Sequence, residues 1–152
     1  MKKVFLVLVG LLVFTGCEKE EKTGVITCTN NTKDVVSGYE ISSEYKINYK
    51  GDFVESVETT EIVTSESDDI LEYFEENTND LYEKMDKAYG GYTYEITKSK
   101  NKVTSEVKID YNKMDLEQLM KDQPTLKNFS KDNKLTVAGI RSMYETMGAT
   151  CE

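Results

Sequence analysis

The sequence has no histidine and no tryptophan, a single proline (Pro124), a single arginine (Arg141) and only three alanines (Ala88, Ala138 and Ala149). The missing imidazole excludes most. Without it there is no Ser-His-Asp or Cys-His nucleophilic arrangement and no imidazole-ligated metal site. No serine sits in a Gly-x-Ser-x-Gly turn, and the glycines form no phosphate-cradling loop. Carboxylates are left as the acid–base groups. Glu55, Glu58 and Glu61 lie in one segment and Glu72, Glu75, Glu76 and Glu83 in another, and both sets read as exposed positions of an acidic chain. The sequence therefore points to a protein that is not an enzyme and needs no cofactor.

Long apolar runs are also scarce. The one unbroken run, Val4 to Phe14, follows Lys2 and Lys3 and ends before Thr15-Gly16-Cys17; charge returns at Glu18. Eleven residues fall short of the roughly 20 that cross a bilayer. The pattern is that of a secretory signal. Small residues before Cys17 make it a lipobox, so residues 1–16 are expected to be removed and Cys17 to be lipidated. Two acyl chains anchor far more firmly than one, at about 0.8 kcal/mol per buried methylene. Residues 17–23 then form a short charged tether of at most about 20 Å beyond the cysteine. Residues 24–152 form one domain, held at the extracytoplasmic face of a cell membrane.

Cysteine is rare as well, with three in the chain. Lipidation of Cys17 leaves Cys28 and Cys151, an even pair outside the cytoplasm, and their disulfide is expected to join the two ends of the domain. Positive charge is in deficit throughout. Loss of Lys2 and Lys3 with the signal leaves 17 basic against 28 acidic residues. Such a surface excludes nucleic acid as a partner and disfavours lying flat on anionic headgroups. The lysines that do cluster, Lys98, Lys100 and Lys102, read as solvated turn residues that discourage edge aggregation, with contact to phosphate polymers or lipid headgroups as the alternative.

What the chain has in abundance is tyrosine and alternation. Tyr39, Ile41, Ser43, Tyr45, Ile47 and Tyr49 alternate with polar residues, the period of a half-buried strand. Lys50-Gly51-Asp52 turns it back into Phe53–Thr64, and Val25–Thr29 forms a short strand before it. Ser65–Asp69 starts a helix whose inward side carries Ile70, Leu71, Phe74, Thr78, Leu81, Tyr82, Met85 and Tyr89, interrupted in the middle by Asn77-Thr78-Asn79 and stopped by Gly90-Gly91. Asn77, Asn79 and Asp80 present oxygens in sequence but lack the glycine and terminal glutamate of a calcium loop.

A second hairpin runs up through Tyr92, Tyr94 and Ile96 and back through Val103 to Tyr111. A short helix, Asp115–Lys121, ends at Pro124. Asp122–Lys134 is a polar connector, and Thr136 caps a last helix that Gly148 stops. The expected class is α+β: an antiparallel sheet of two hairpins plus a short N-terminal strand, with helices packed on one face.

Tyr-Lys-Ile-Asn-Tyr-Lys-Gly-Asp (45–52), Val-Glu-Thr-Thr (57–60), Val-Lys-Ile-Asp-Tyr (107–111) and Met-Asp-Leu (114–116), with the closing helix and Met147-Gly148, resemble the YehR-like bacterial lipoproteins. The resemblance implies lipid anchoring at the cell envelope and supplies no catalytic residues. Beside it stands the tyrosine count. Tyr45, Tyr49, Tyr94 and Tyr111 occupy inward strand positions, where a ring is buried while its hydroxyl seeks a partner or water. They line either a core with wet edges or a groove for a small amphipathic ligand. The functional expectation is a non-enzymatic binding or envelope-maintenance role, its partner an envelope protein, with a carrier of an amphipathic ligand as alternative and a carboxylate-based cell-wall hydrolase behind both.

Overall fold

A computed structural model describes residues 21–152. Residues 1–16, read from the sequence as a signal, and Cys17 lie outside the described residues. Three long strands, β1 (Thr23–Asp34), β2 (Tyr39–Lys50) and β3 (Phe53–Ser65), form an antiparallel meander. They lead into helix α1 (Asp68–Tyr89) and the hairpin β4 (Tyr92–Ser99) and β5 (Lys102–Asp110). After these come α2 (Leu116–Asp122), a 3-10 turn at Pro124–Phe129, a small hairpin β6 (Ser130–Lys131) and β7 (Lys134–Leu135), α3 (Val137–Thr146) and β8 (Thr150–Cys151). Six strands make one sheet in the order β4-β5-β3-β2-β1-β8. The α+β class holds, and the two hairpins fuse into one sheet through β3 and β5, which pair from Ser56 with Asp110 to Thr64 with Lys102.

Two differences from the sequence expectation have a common cause. β1 is not short: it pairs with β2 at twelve positions, through the polar Asn30-Asn31-Thr32-Lys33 that shows no alternation. The connector before α3 is not structureless but holds the 3-10 turn and the β6–β7 hairpin. In both places backbone pairing decides the element, and side-chain pattern carries little of that signal.

Helix α1 is continuous, with Asn77 inside it donating its side-chain N–H to the Tyr73 carbonyl at 2.7 Å. Its buried contact is Leu71, flanked by half-buried Phe74, Thr78, Tyr82, Met85 and Tyr89, and it packs on β3, β4 and β5. Leu81, expected inward, is 52% exposed, because the helix lays only one narrow stripe on the sheet. At its start Asp68 meets Lys98 at 3.0 Å, so this lysine joins β4 to α1 rather than standing free in the turn. α3, capped by the Thr136 hydroxyl accepting from the Gly139 N–H at 3.1 Å, covers the same face nearer β1 and β8.

The apolar interior is split. One cluster gathers Cys28, Ile47, Val57, Leu135, Ile140 and Tyr144 under α3; the other gathers Val63, Leu71 and Val103 under α1. Between them a polar row crosses the inner face, Asn30, Ser43, Glu61 and Ser105, neighbours by strand register. Ser43 and Ser105 are buried, and the Ser43 hydroxyl donates to the Glu61 carboxylate at 3.2 Å.

Candidate functional site

Glu61 faces inward because of a slip in β3. The β2–β3 register shifts between Asn48 and Tyr49: Asn48 pairs with Ser56 but Tyr49 with Val54, leaving Glu55 as the extra residue of a bulge. A bulge flips the alternation beyond it. Val54 and Val57 are therefore both buried, and Thr59, Glu61 and Val63 follow on the inner face. The reading of Glu55, Glu58 and Glu61 as uniformly exposed is corrected accordingly. Glu58 does face outward, paired with Lys108 at 3.0 Å, whereas Glu61, on the inner face, and Glu55, at the bulge, are both half-buried.

The four tyrosines singled out in the sequence are not brought to one place. Tyr45 and Tyr94 lie on one transverse row of the inner face, linked by register through Thr59 and Val107. Their rings pack on helix tyrosines, Tyr45 on Tyr144 at 4.3 Å between centroids and Tyr94 on Tyr82 at 5.7 Å. Tyr49 lies over β1, its ring occupying the space a side chain at Gly24 would need. Tyr111 sits at the end of the sheet, packed partly buried against the cluster under α3.

Tyr144 stacks on Tyr45, and Tyr82 lies between Tyr94 and Tyr92, 6.2 Å from the latter between centroids; Tyr82, Tyr92 and Tyr144 were not among the sequence candidates for a ligand site. Burial pushes Tyr82 up to about 12, with the Glu61 carboxylate adding to the shift, and burial likewise pushes Tyr92 up to about 12. The Tyr111 and Tyr144 phenols are also raised well above the ordinary tyrosine value, first by burial. Their protons are held by desolvation, which opposes the phenolate.

Tyr111 leads to the feature with room in it. A cavity of about 590 Å³ opens where four pieces of chain meet: the β2–β3 turn, the residues preceding β1, the segment after β5, and the β6–β7 hairpin. Backbone hydrogen bonds bind these pieces. Gly51 donates to the Lys22 carbonyl at 2.9 Å, Tyr111 to that of Glu55 at 2.9 Å, and Val137 to that of Asp52 at 2.9 Å. The floor is apolar: Val54 and Leu135, both buried, with Phe53, Tyr111 and Leu116.

The rim of this cavity is charged. Glu55 reaches it because the bulge re-aims the strand there. Asp132 and Asn133 reach it because they are the two central residues of the β6–β7 turn, at φ 52° and 58°, the conformation of a two-residue hairpin loop. The Lys134 ammonium lies 5.5 Å from the Phe53 ring centroid, a cation–π contact, and Lys50 meets Glu21 at 3.8 Å. Of these rim residues the sequence singles out only Glu55 for acid–base chemistry, as one of several carboxylates read as exposed. Two signals in the sequence do mark them: a three-residue step between Val54 and Val57 where alternation demands two or four, and an Asp-Asn pair suited to left-handed φ.

Two solved structures share this architecture. A protein from Streptococcus pneumoniae TIGR4, determined by NMR, is similar over 100% of this chain and 98% of its own, with a TM-score of 0.50 and 18% identity. The E. coli YehR protein, also determined by NMR, is similar over 86% of this chain and 91% of its own, with a TM-score of 0.54 and 18% identity. The chain has the YehR fold. At that level of identity the likeness is one of architecture alone. No family model and no curated protein matches the chain.

Within this YehR fold the first and last strands of the sheet's sequence order are joined by the bond expected from cysteine counting. Cys28 on β1 is disulfide-bonded to Cys151 on β8, 123 positions away. The two face each other in register with Cα atoms 4.0 Å apart, beside the pair Thr27 and Glu152, whose backbones exchange hydrogen bonds of 3.0 and 2.9 Å. They thus occupy the close, non-hydrogen-bonded kind of antiparallel pair. Arg141 adds a bond from its guanidinium to the Cys151 carbonyl at 3.1 Å.

Proposed function

We propose that this chain is a lipid-anchored extracytoplasmic protein with a non-enzymatic binding role, and that it binds at the cavity walled by Phe53, Tyr111 and Leu135. One juxtaposition supports the reading. Glu21 lines the cavity and lies four positions after Cys17, a span of at most about 14 Å. A diacylated Cys17 therefore holds the cavity mouth next to the bilayer, and the tether is too short to release it. The Cys28–Cys151 disulfide is consistent with an oxidising compartment.

The test has two parts. Cys17→Ser should leave the protein precursor-sized or released, and out of the detergent phase in which the wild type partitions. Normal processing together with unchanged detergent partitioning of that variant would defeat the anchor. Native mass spectrometry of protein purified from its own membranes should show a retained small molecule, displaced when Leu135 or Phe53 is replaced by a charged residue that leaves the far end of the sheet unchanged.

A further inference from the structure

The cavity at the tethered end carries charges of both signs over an apolar floor, and this combination selects a ligand class. Glu21, Glu55 and Asp132 face Lys50 and Lys134 around it. Lys50 is engaged with Glu21, but among the described residues Glu55, Asp132 and Lys134 form no ion pair. A plain anion entering here meets three carboxylates. A plain amine meets two ammonium groups. Only a ligand bearing both charges satisfies both sides.

We propose that the cavity binds a phosphoethanolamine-type zwitterion, presented as the headgroup of a phospholipid in the membrane to which the chain is tethered. Its ammonium is received by Glu55 and Asp132 and its phosphate by Lys134 and Lys50, while the glycerol carbons lie on Phe53. About 590 Å³ is ample for a headgroup of this kind and falls within the size range of small-molecule sites. The groups are held in place by the fold: the β3 bulge aims Glu55, the β6–β7 turn presents Asp132, and the Phe53 ring supports Lys134. The lipid source rests on the anchor proposed above, which brings Glu21 at the rim within about 14 Å of Cys17; the zwitterion chemistry rests on the cavity alone.

The test is a calorimetric titration of the purified full-length mature protein in maltoside detergent with soluble glycerophosphoethanolamine. Glycerophosphoglycerol, which lacks the ammonium, is the comparator. Saturable binding of the first, weakened roughly ten- to a hundredfold in Glu55→Gln and in Lys134→Gln and unchanged in the outer-face variant Lys108→Gln, is expected from losing one charge-assisted contact. No saturable binding, equal binding of glycerophosphoglycerol, or wild-type affinity in both cavity variants overturns the proposal. Unchanged amide spectra in the variants establish that they are folded.

Protein reconstituted into phosphatidylethanolamine vesicles should bind the soluble probe more weakly than protein in phosphatidylglycerol vesicles, because the lipid already occupies the site. Equal affinity in the two overturns the membrane source and leaves a soluble zwitterion. Failure of the anchor is read separately, by detergent partitioning of Cys17→Ser, and does not alter the titration.

Discussion

Tyr82, Tyr92, Tyr111 and Tyr144 hold their phenol protons more tightly in the folded chain than free tyrosines do, chiefly because burial penalises the phenolate. A folded value above the unfolded one, near 10, gives stability that is complete below pH 10 and is lost as pH rises through the folded values. For Tyr82 and Tyr92 that window runs from pH 10 to about 12. Tyrosinate absorbance should rise in two stages, exposed rings first, and the second stage should coincide with loss of ellipticity. A single unperturbed transition for all ten tyrosines would contradict the buried cluster.

Gly139 gives a second residue-scale expectation. A Cβ there would lie 2.5 Å from the Phe129 carbonyl oxygen and 2.7 Å from its Cα, backbone atoms that cannot step aside. Helix propensity favours Gly139→Ala by about 1 kcal/mol, but overpacking costs about 1–3 kcal/mol. The variant should therefore be destabilised by roughly 1 kcal/mol in urea denaturation, with α3 pushed off the 3-10 turn.

Among the elements, α1 depends on very little buried surface. Leu71 is fully buried in the cluster with Val63 and Val103, whereas Leu81 on the same helix is half exposed. Leu71→Ala should cost about 2–5 kcal/mol, and Leu81→Ala should stay within about 0.5 kcal/mol. Chemical denaturation of the two variants measures the contrast; equal losses would mean that the helix has a wider buried face. The same helix shows why element boundaries were legible: acidic residues at its start and paired glycines at its end act locally, and α1 runs from Asp68 to Tyr89 beside them. β2 was legible for a similar reason, its strict alternation matching the observed burial from Tyr39 to Tyr49. β3 was legible only up to its bulge. Beyond Glu55 the phase reverses, and Glu61, which a strict period puts in water, ends on the inner face accepting from the Ser43 hydroxyl.

At the scale of the whole molecule, a two-residue strand and one covalent bond close the structure. β8 is too short to be seen as a strand in a local window, and it pairs with β1 only at Cys28–Cys151 and Thr29–Thr150. Cross-linking so long a loop contributes about 4–5 kcal/mol on the chain-entropy model. Reduction, or the double replacement Cys28→Ser with Cys151→Ser, should lower stability by an amount approaching that figure. It should also raise hydrogen exchange first at the Thr27 and Glu152 amides, which bond each other's carbonyls. Unchanged exchange there after reduction would show that β8 holds without the bond. The end of the sheet at the β2–β3 turn carries the cavity, and the opposite end carries Val35 and Val36, 79% and 99% exposed at the β1–β2 tip. The cavity thus lies at one pole and, among the described residues, the most exposed large apolar side chains at the other.

By itself the sequence determined the α+β class, the span of α1, the inner face of β2, the exclusion of imidazole chemistry and the pairing of Cys28 with Cys151. These follow from composition, from periods of two and of 3.6 residues, and from turn residues, all of which act within a few positions. Only the tertiary structure decided that β3 pairs with β5, that β1 runs to Asp34, that Tyr45 and Tyr94 pack on Tyr144 and Tyr82, and that Glu55, Asp132 and Lys134 meet around one cavity. The reason is range. Those outcomes come from backbone hydrogen bonds and packing between residues tens of positions apart, and no local pattern of side chains encodes which distant backbone will supply the partner.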